Sequence, residues 1–294
     1  MNRRTVVILV VAAAVLFVVT AGLFLTILMA GFGSDVPGLK SWDKGLGYLE
    51  IEGTIVDATE TIRQLKSLES NPLVKGMLIR VDSPGGVVTP SHEIYDEIRR
   101  VRDDGTPVVV SMGTLAASGG YYVAAPADVI VANPQTLTGS IGVIMEFPVF
   151  KGVMDKLGIK VEVVKSRVHK DIGSPFREMT DRDRELLQDV VTDAYDQFVS
   201  IVSLEREIPE DSVRAFADGR IMTGRQALAL GLVDTLGTLE DAKRIAASLC
   251  DIDGEPRLIR PSRRLNFWLQ ELLEGTAEGL IGGLKFPRLR SICY

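Results

Sequence analysis

The hydrophobic and polar positions divide the chain into stretches of different pattern. Residues 5–32, TVVILVVAAAVLFVVTAGLFLTILMAGF, are apolar throughout and contain no charge. From residue 46 onward, compact apolar runs alternate with segments whose apolar residues recur at helical spacing. Strands are predicted over 46–55, 74–82, 106–112, 128–133, 140–145 and 160–166. Helices are predicted between them. The segment 57–70 carries Ile62, Leu65 and Leu68, and 90–102 carries Ile94, Ile98 and Val101. Another helix is expected over 117–126 and a short one over 148–157. Repeated alternation of apolar strands with helices predicts an α/β domain whose sheet is covered by helices.

From residue 178 the pattern becomes helical. Thr180 ahead of Asp181 and Asp183 suits a helix start, and Leu187, Val190, Val191, Tyr195, Phe198 and Val202 form its apolar stripe up to residue 206. Shorter helices are expected over 209–216, 223–230 and 238–250, punctuated by Gly231 and Gly237. The organisation read from these patterns is an apolar segment over 1–34, a linker over 35–46, one α/β domain over 47–255 and a tail over 256–294. The tail carries Leu265, Trp268, Leu269, Leu272 and Leu273 on one helical face, followed by a Gly-rich, apolar and basic stretch. That composition suits an interfacial helix, a partner-binding tail or a loosely packed terminus.

Charge changes this picture in two places. A net charge of −6 argues against a nucleic-acid partner, which needs a basic stripe. Around the first apolar segment, Arg3 and Arg4 precede the run and Asp35 is the first charge after it. A helix of that length spans roughly 42 Å against a hydrocarbon core of about 30 Å. It is too long for the apolar region of a cleaved signal peptide. The expectation is an uncleaved bilayer-spanning anchor with its N-terminus in the cytoplasm and the rest of the chain outside. The two cysteines, Cys250 and Cys293, show neither metal spacing nor a CxxC pair.

Candidate chemistry gathers where strands meet helices. In GTLAASGG, Ser118 follows a strand and opens a helix among the smallest residues of the chain. Such a position offers free backbone N–H groups, and small neighbours let a carbonyl approach them, so Gly119 is an oxyanion-donor candidate. The likeness to a nucleophile elbow is local, because the pattern is not G-x-S-x-G. SPGG at 83–86 forms a second strand-to-helix turn whose Gly85 and Gly86 amides suit an oxyanion or a peptide backbone. Both turns fall on the edge of a parallel sheet where α/β sites lie. For the base, His92 falls on the polar face of a helix, whereas His169 and Lys170 lie together in a loop. A lysine serves as base only when its neutral form is reachable, which desolvation favours. On residues alone, His169 and Lys170 both remain open, and Glu146 keeps a hydratase-type acid/base reading open beside them.

The ordered set VDSPGG (81–86), ASGGYYVA (117–124), TGSIGVI (138–144) and HKDIGSP (169–175), behind an N-terminal anchor, resembles the signal peptide peptidase A family in its short, single-repeat form. The resemblance covers roughly residues 46–250. It implies a ClpP/crotonase-like α/β spiral, Ser118 as nucleophile, Lys170 as general base and Ser140 as the residue that orients the lysine. It implies Gly119 with Gly85 or Gly86 as oxyanion donors, and neither metal nor other cofactor. It also implies peptide substrates such as remnant signal peptides, anchoring in the bacterial inner membrane with the catalytic domain outside, and assembly into a homo-oligomeric ring or dome. Other enzymes of this fold, and a non-catalytic anchored scaffold, are the competing readings.

Overall fold

The computed structural model describes residues 44–261, together with Phe17 and Thr20. Apart from those two helical positions, the expected bilayer span lies outside the described residues. Among the described residues no helix is long and apolar enough to cross a membrane. Residues 262–294 of the tail and Cys293 also lie outside them.

From residue 45 the chain folds around one sheet. Strand β1 (Gly45–Glu52) pairs in parallel with β2 (Val74–Ser83), and β2 pairs in parallel with β3 (Val108–Ala117). Helices α1 (Thr59–Glu69) and α2 (Val88–Asp103) make the two crossovers. They press Leu65, Leu68, Ile94, Ile98 and Val101 against Ile79, Val81 and Val110. The inner strands are buried nearly without a break, as parallel strands covered on both faces must be. The opposite face is covered by α8 (Leu239–Leu249), whose Ala242 and Ala246 pack with Leu46, Tyr48, Leu78 and Val109.

The sheet forks at β3. Its first half pairs with β4 (Val129–Ala132), and its last three residues pair with β5 (Leu137–Gly139), which pairs antiparallel with β6 (Ile221–Thr223). Short β7 (Thr235–Leu236) extends β4, and β8 (Leu258–Ile259) extends β1. The predicted strand at 106–112 therefore runs five residues further, to Ala117. The helix expected from 117 begins at Gly119 as α3 (Gly119–Ala124).

Two predicted strands do not form. Residues 140–145 and 160–166 have strand-type composition but adopt no strand. Ile144, Val161 and Val163 are exposed, and Val164 is fully so. A strand is stable only when a neighbouring backbone and an apolar surface accept it; among the described residues these runs find neither. The short helix α4 (Lys151–Leu157) between them forms as expected but buries no residue.

The long helix α5 (Asp181–Arg206) begins at the expected cap. The Thr180 hydroxyl accepts from the Asp183 N–H, and the Asp183 carboxylate accepts from the Thr180 N–H. Only the second half of its stripe is covered: Phe198, Val199 and Val202 are buried, while Val190 is half exposed. Helices α6 (Glu210–Phe216) and α7 (Gly224–Ala229) follow within a residue or two of their predicted bounds. Replacing Thr180 by Ala is expected to lower stability by about 1 kcal/mol through the lost cap; a urea midpoint unchanged from wild type would contradict this.

Candidate active site

Ser118 stands where β3 passes into α3, at the tip of the fork. It holds φ 53° and ψ −122°, a conformation that L-residues adopt only under constraint. Its N–H donates to the Gly139 carbonyl at 2.9 Å, and its carbonyl accepts from the Tyr122 N–H at 2.9 Å. The helix behind it is buried at all six positions, and the Tyr121 hydroxyl bonds the Leu232 carbonyl. The Ser118 side chain is only partly buried, and its Oγ makes no hydrogen bond among the described residues. The backbone is clamped and the hydroxyl is free.

The SPGG turn lies directly against it. Gly85 has φ 94°, and a Cβ there would fall 2.5 Å from the Gly119 N and 2.9 Å from the Ser118 Cβ. Buried Ser83 shapes the turn: its hydroxyl donates to the Gly53 carbonyl at 2.6 Å and accepts from the Gly85 N–H at 3.1 Å. The Gly85 amide is therefore occupied. Gly86 sits in a parallel bridge to Ile55, in which Ile55 N–H donates to the Gly85 carbonyl and Val87 N–H donates to the Ile55 carbonyl. The Gly86 N–H belongs to neither bond and faces the other way, 3.1 Å from where a Gly119 Cβ would stand. Gly119 is the first residue of its helix, where the N–H has no intrahelical acceptor. Two unoccupied amides thus converge beside a free hydroxyl, which is the arrangement that stabilises a tetrahedral oxyanion.

Ser118, Gly86 and Gly119 line one small pocket. Val88, Tyr122, Val143 and Phe198 form its apolar wall. Tyr122 lies one turn beyond Ser118, which brings it to the same helix face, and its ring packs 4.8 Å from that of Phe198. Sequence reasoning passed over Tyr122 and Phe198 as site residues. The helical spacing from Ser118 was a usable signal for Tyr122 and none existed for Phe198. His92 is not simply solvated: its Nδ1 lies 2.8 Å from the Tyr122 hydroxyl and its Nε2 3.3 Å from Asp96 Oδ2, so it props the outer edge of that wall. Burial pushes the Tyr122 phenol well above its usual range.

Ser140 occupies the matching place on the next strand. Ala117 pairs with Gly139 across β3 and β5, so Ser118 and Ser140 are the residues that follow one paired position. Ser140 too has a positive φ, 52°, and its N–H is held by the Arg220 carbonyl. Lys170 is elsewhere. It lies exposed in the turn 167–174, takes no ion pair or hydrogen bond through its ammonium among the described residues, and does not line the Ser118 pocket. His169 does not line the pocket either, and its Nδ1 lies 3.5 Å from Asp183 Oδ1. Glu146 is exposed outside the pocket as well. No cluster of metal-ligating side chains occurs among the described residues.

Comparison with known proteins identifies the family. The model of peptidase family S49 matches residues 100–253, and that of Clp protease matches residues 49–141. The chain belongs to peptidase family S49. It is 42% identical over 219 residues to a Synechocystis sp. protein provisionally named a protease, covering 74% of this chain and 78% of that one. It is 37% identical over 213 residues to an Enterococcus faecium protein provisionally named signal peptide peptidase SppA, covering 68% and 62%. It is 33% identical over 242 residues to the chloroplastic serine protease SPPA of Arabidopsis thaliana, covering 80% of this chain but only 35% of that one. As an S49 member the chain is a serine protease on a ClpP-like α/β fold. A Cβ at Gly85 meets both a positive φ and the Gly119 backbone. Gly85→Ala is therefore expected to cost about 1–3 kcal/mol and to abolish fluorophosphonate labelling of the protein. Labelling at the wild-type rate would show that the turn does not shape the site.

Proposed function

We propose that this protein is a membrane-anchored serine endopeptidase with a Ser118/Lys170 dyad, degrading cleaved signal peptides and other unfolded apolar peptides at the membrane. The observation that carries the reading is the meeting of the free Ser118 hydroxyl with the unoccupied Gly86 and Gly119 amides in one apolar pocket. The Ser118 Oγ attacks a peptide carbonyl while the neutral Lys170 amine takes its proton. The oxyanion is received by the Gly86 and Gly119 N–H groups. The resulting ammonium returns the proton to the leaving amine, and water repeats the sequence on the acyl-enzyme. Ser140, beside Ser118 across the β3–β5 pair, receives the incoming lysine and orients it. Of the two SPGG candidates, Gly86 is the donor, because Ser83 holds the Gly85 amide.

Lys170 lies outside the Ser118 pocket of its own chain. The base is then supplied across a boundary between copies of this chain, in a ring or dome. The exposed apolar residues between Ile144 and Val168, among them Val153 and Leu157, supply the surface for such contact. Residues 5–32 hold the assembly in the inner membrane with the catalytic domain outside, where released apolar peptides are concentrated.

The deciding experiment is cleavage of a fluorogenic apolar peptide by the full-length chain in detergent. Ser118→Ala and Lys170→Ala are expected to be folded and inactive, and His169→Ala active. Retained activity in Lys170→Ala would end the dyad reading. Mixing the Ser118→Ala and Lys170→Ala proteins is expected to restore part of the activity, because each supplies what the other lacks. A mixture of the two, co-assembled from the unfolded or detergent-dissociated state, that stays inactive would place both groups within one chain.

A further inference from the structure

The turn that carries Lys170 is dense in charge, yet the Lys170 ammonium takes no partner among the described residues. Asp171 follows it directly in sequence. A carboxylate beside an amine favours the protonated form and pulls the ammonium towards itself. Here that carboxylate is taken up elsewhere. Arg177 grips it with two nitrogens, Nε to Oδ2 at 3.0 Å and Nη2 to Oδ1 at 3.1 Å, and Nη2 also donates to the Asp171 carbonyl at 3.2 Å. Lys165 Nζ lies 2.7 Å from Oδ1 and donates to the Val168 carbonyl at 3.0 Å. The hydrogen bonds from Arg177 and then Lys165 hold the Asp171 carboxyl down at about 2.

Arg177 also ties the turn to the long helix. Its Nη1 lies 2.6 Å from Oδ2 of Asp183, the same buried carboxylate that closes the capping box with Thr180. His169 leans on the other oxygen of Asp183. The residues on both sides of Lys170 are thus fixed to the start of α5. The segment ahead of α4 packs on the turn through Phe147, beside Gly173, and through Phe150, whose N–H donates to the Pro175 carbonyl. Its charge is Glu146, and α4 adds Lys156 and the mutually paired Lys151 and Asp155. Arg167, Glu178 and Asp181 complete the charged groups near the turn.

We propose that Arg177, assisted by Lys165, is a positioning residue that occupies the Asp171 carboxylate and so keeps it from capturing the neighbouring Lys170. This rests on Lys170 being the general base. The device suits an arginine, which stays charged at every pH at which an amine could act as base and matches a carboxylate with a rigid fork. Without it, Asp171 pairs with Lys170, holds its proton and turns it away from an incoming Ser118.

The test is the pH profile of peptide cleavage by the full-length chain. In Arg177→Met and in Lys165→Met, the acidic limb of kcat is expected to move to higher pH, by about one unit for the arginine. At neutral pH kcat falls about tenfold in Arg177→Met, with KM unchanged. Adding Asp171→Asn to either variant is expected to return the limb to its original place, a rescue that a merely structural role would not give. Profiles that superimpose on wild type, or a shift that Asp171→Asn does not reverse, overturn the proposal. Should Arg177→Met fail to fold, the exposed Lys165→Met carries the same test. Lys170→Ala, measured alongside, separates the two claims. Activity retained there removes the base and this proposal with it. Activity lost there, with unshifted profiles in the others, removes only the role of Arg177.

Discussion

The backbone of Ser118 is the point on which the rest of the site depends. A serine at φ 53° and ψ −122° is held against an unfavourable conformation of order 1–3 kcal/mol. Three separate parts of the fold hold it there. The N–H is tied to Gly139 by the short β3–β5 pairing, the carbonyl is taken by the first turn of a fully buried helix, and the SPGG turn blocks relaxation from the front. The first of these depends on the fork in the sheet. If β3 paired with β4 along its whole length, Gly139 would have no place beside Ala117, and the serine would relax into an ordinary strand-to-helix turn. The sharp bend also turns the residue out of the packing, leaving it partly accessible while its neighbours are buried.

The opening of the oxyanion site follows from hydrogen-bond accounting. A buried backbone N–H without a partner is costly, so nearly all are paired. At the SPGG turn one amide is paired with Ser83, one pairs across to Ile55, and the one between them faces the pocket. Ser83, fully buried, has no chemical role of its own in the proposed reaction. It decides which glycine is left to donate.

Much of this was legible in the sequence, and the failures have physical causes. The positions of SPGG and Ser118 could be read because apolar strands ending in small residues are a local pattern, whereas Ser140 entered only through the family resemblance. The choice between Gly85 and Gly86 could not, since it depends on a hydroxyl whose orientation is set by Gly53, thirty residues away in the chain. The last five residues of β3, GTLAA, have no strand pattern, and their conformation comes from β2 and β5. The opposite error occurred at 140–145 and 160–166. These runs were read as strands from Ile and Val content, but composition expresses a preference that only a neighbouring strand can satisfy. Thr180, in contrast, was read correctly because a capping box lies within four residues.

The two unformed strands and the half-covered helix point to one further step. Among the described residues, apolar side chains from Ile144 to Val168, and Val190 on α5, are left exposed. Val168 lies on the turn that bears Lys170, and none of these side chains lines the Ser118 pocket. The chain thus finishes one half of the proposed site, with its amides paired or aimed and its backbone clamped. The other half stands on a surface that the described residues leave uncovered and that another molecule could cover. If that molecule is a second copy of this chain, covering the surface and delivering the lysine are the same event. The burial that stabilises the assembly would then also remove water from the amine, and the low dielectric needed for a neutral lysine would arise only where a serine waits to use it.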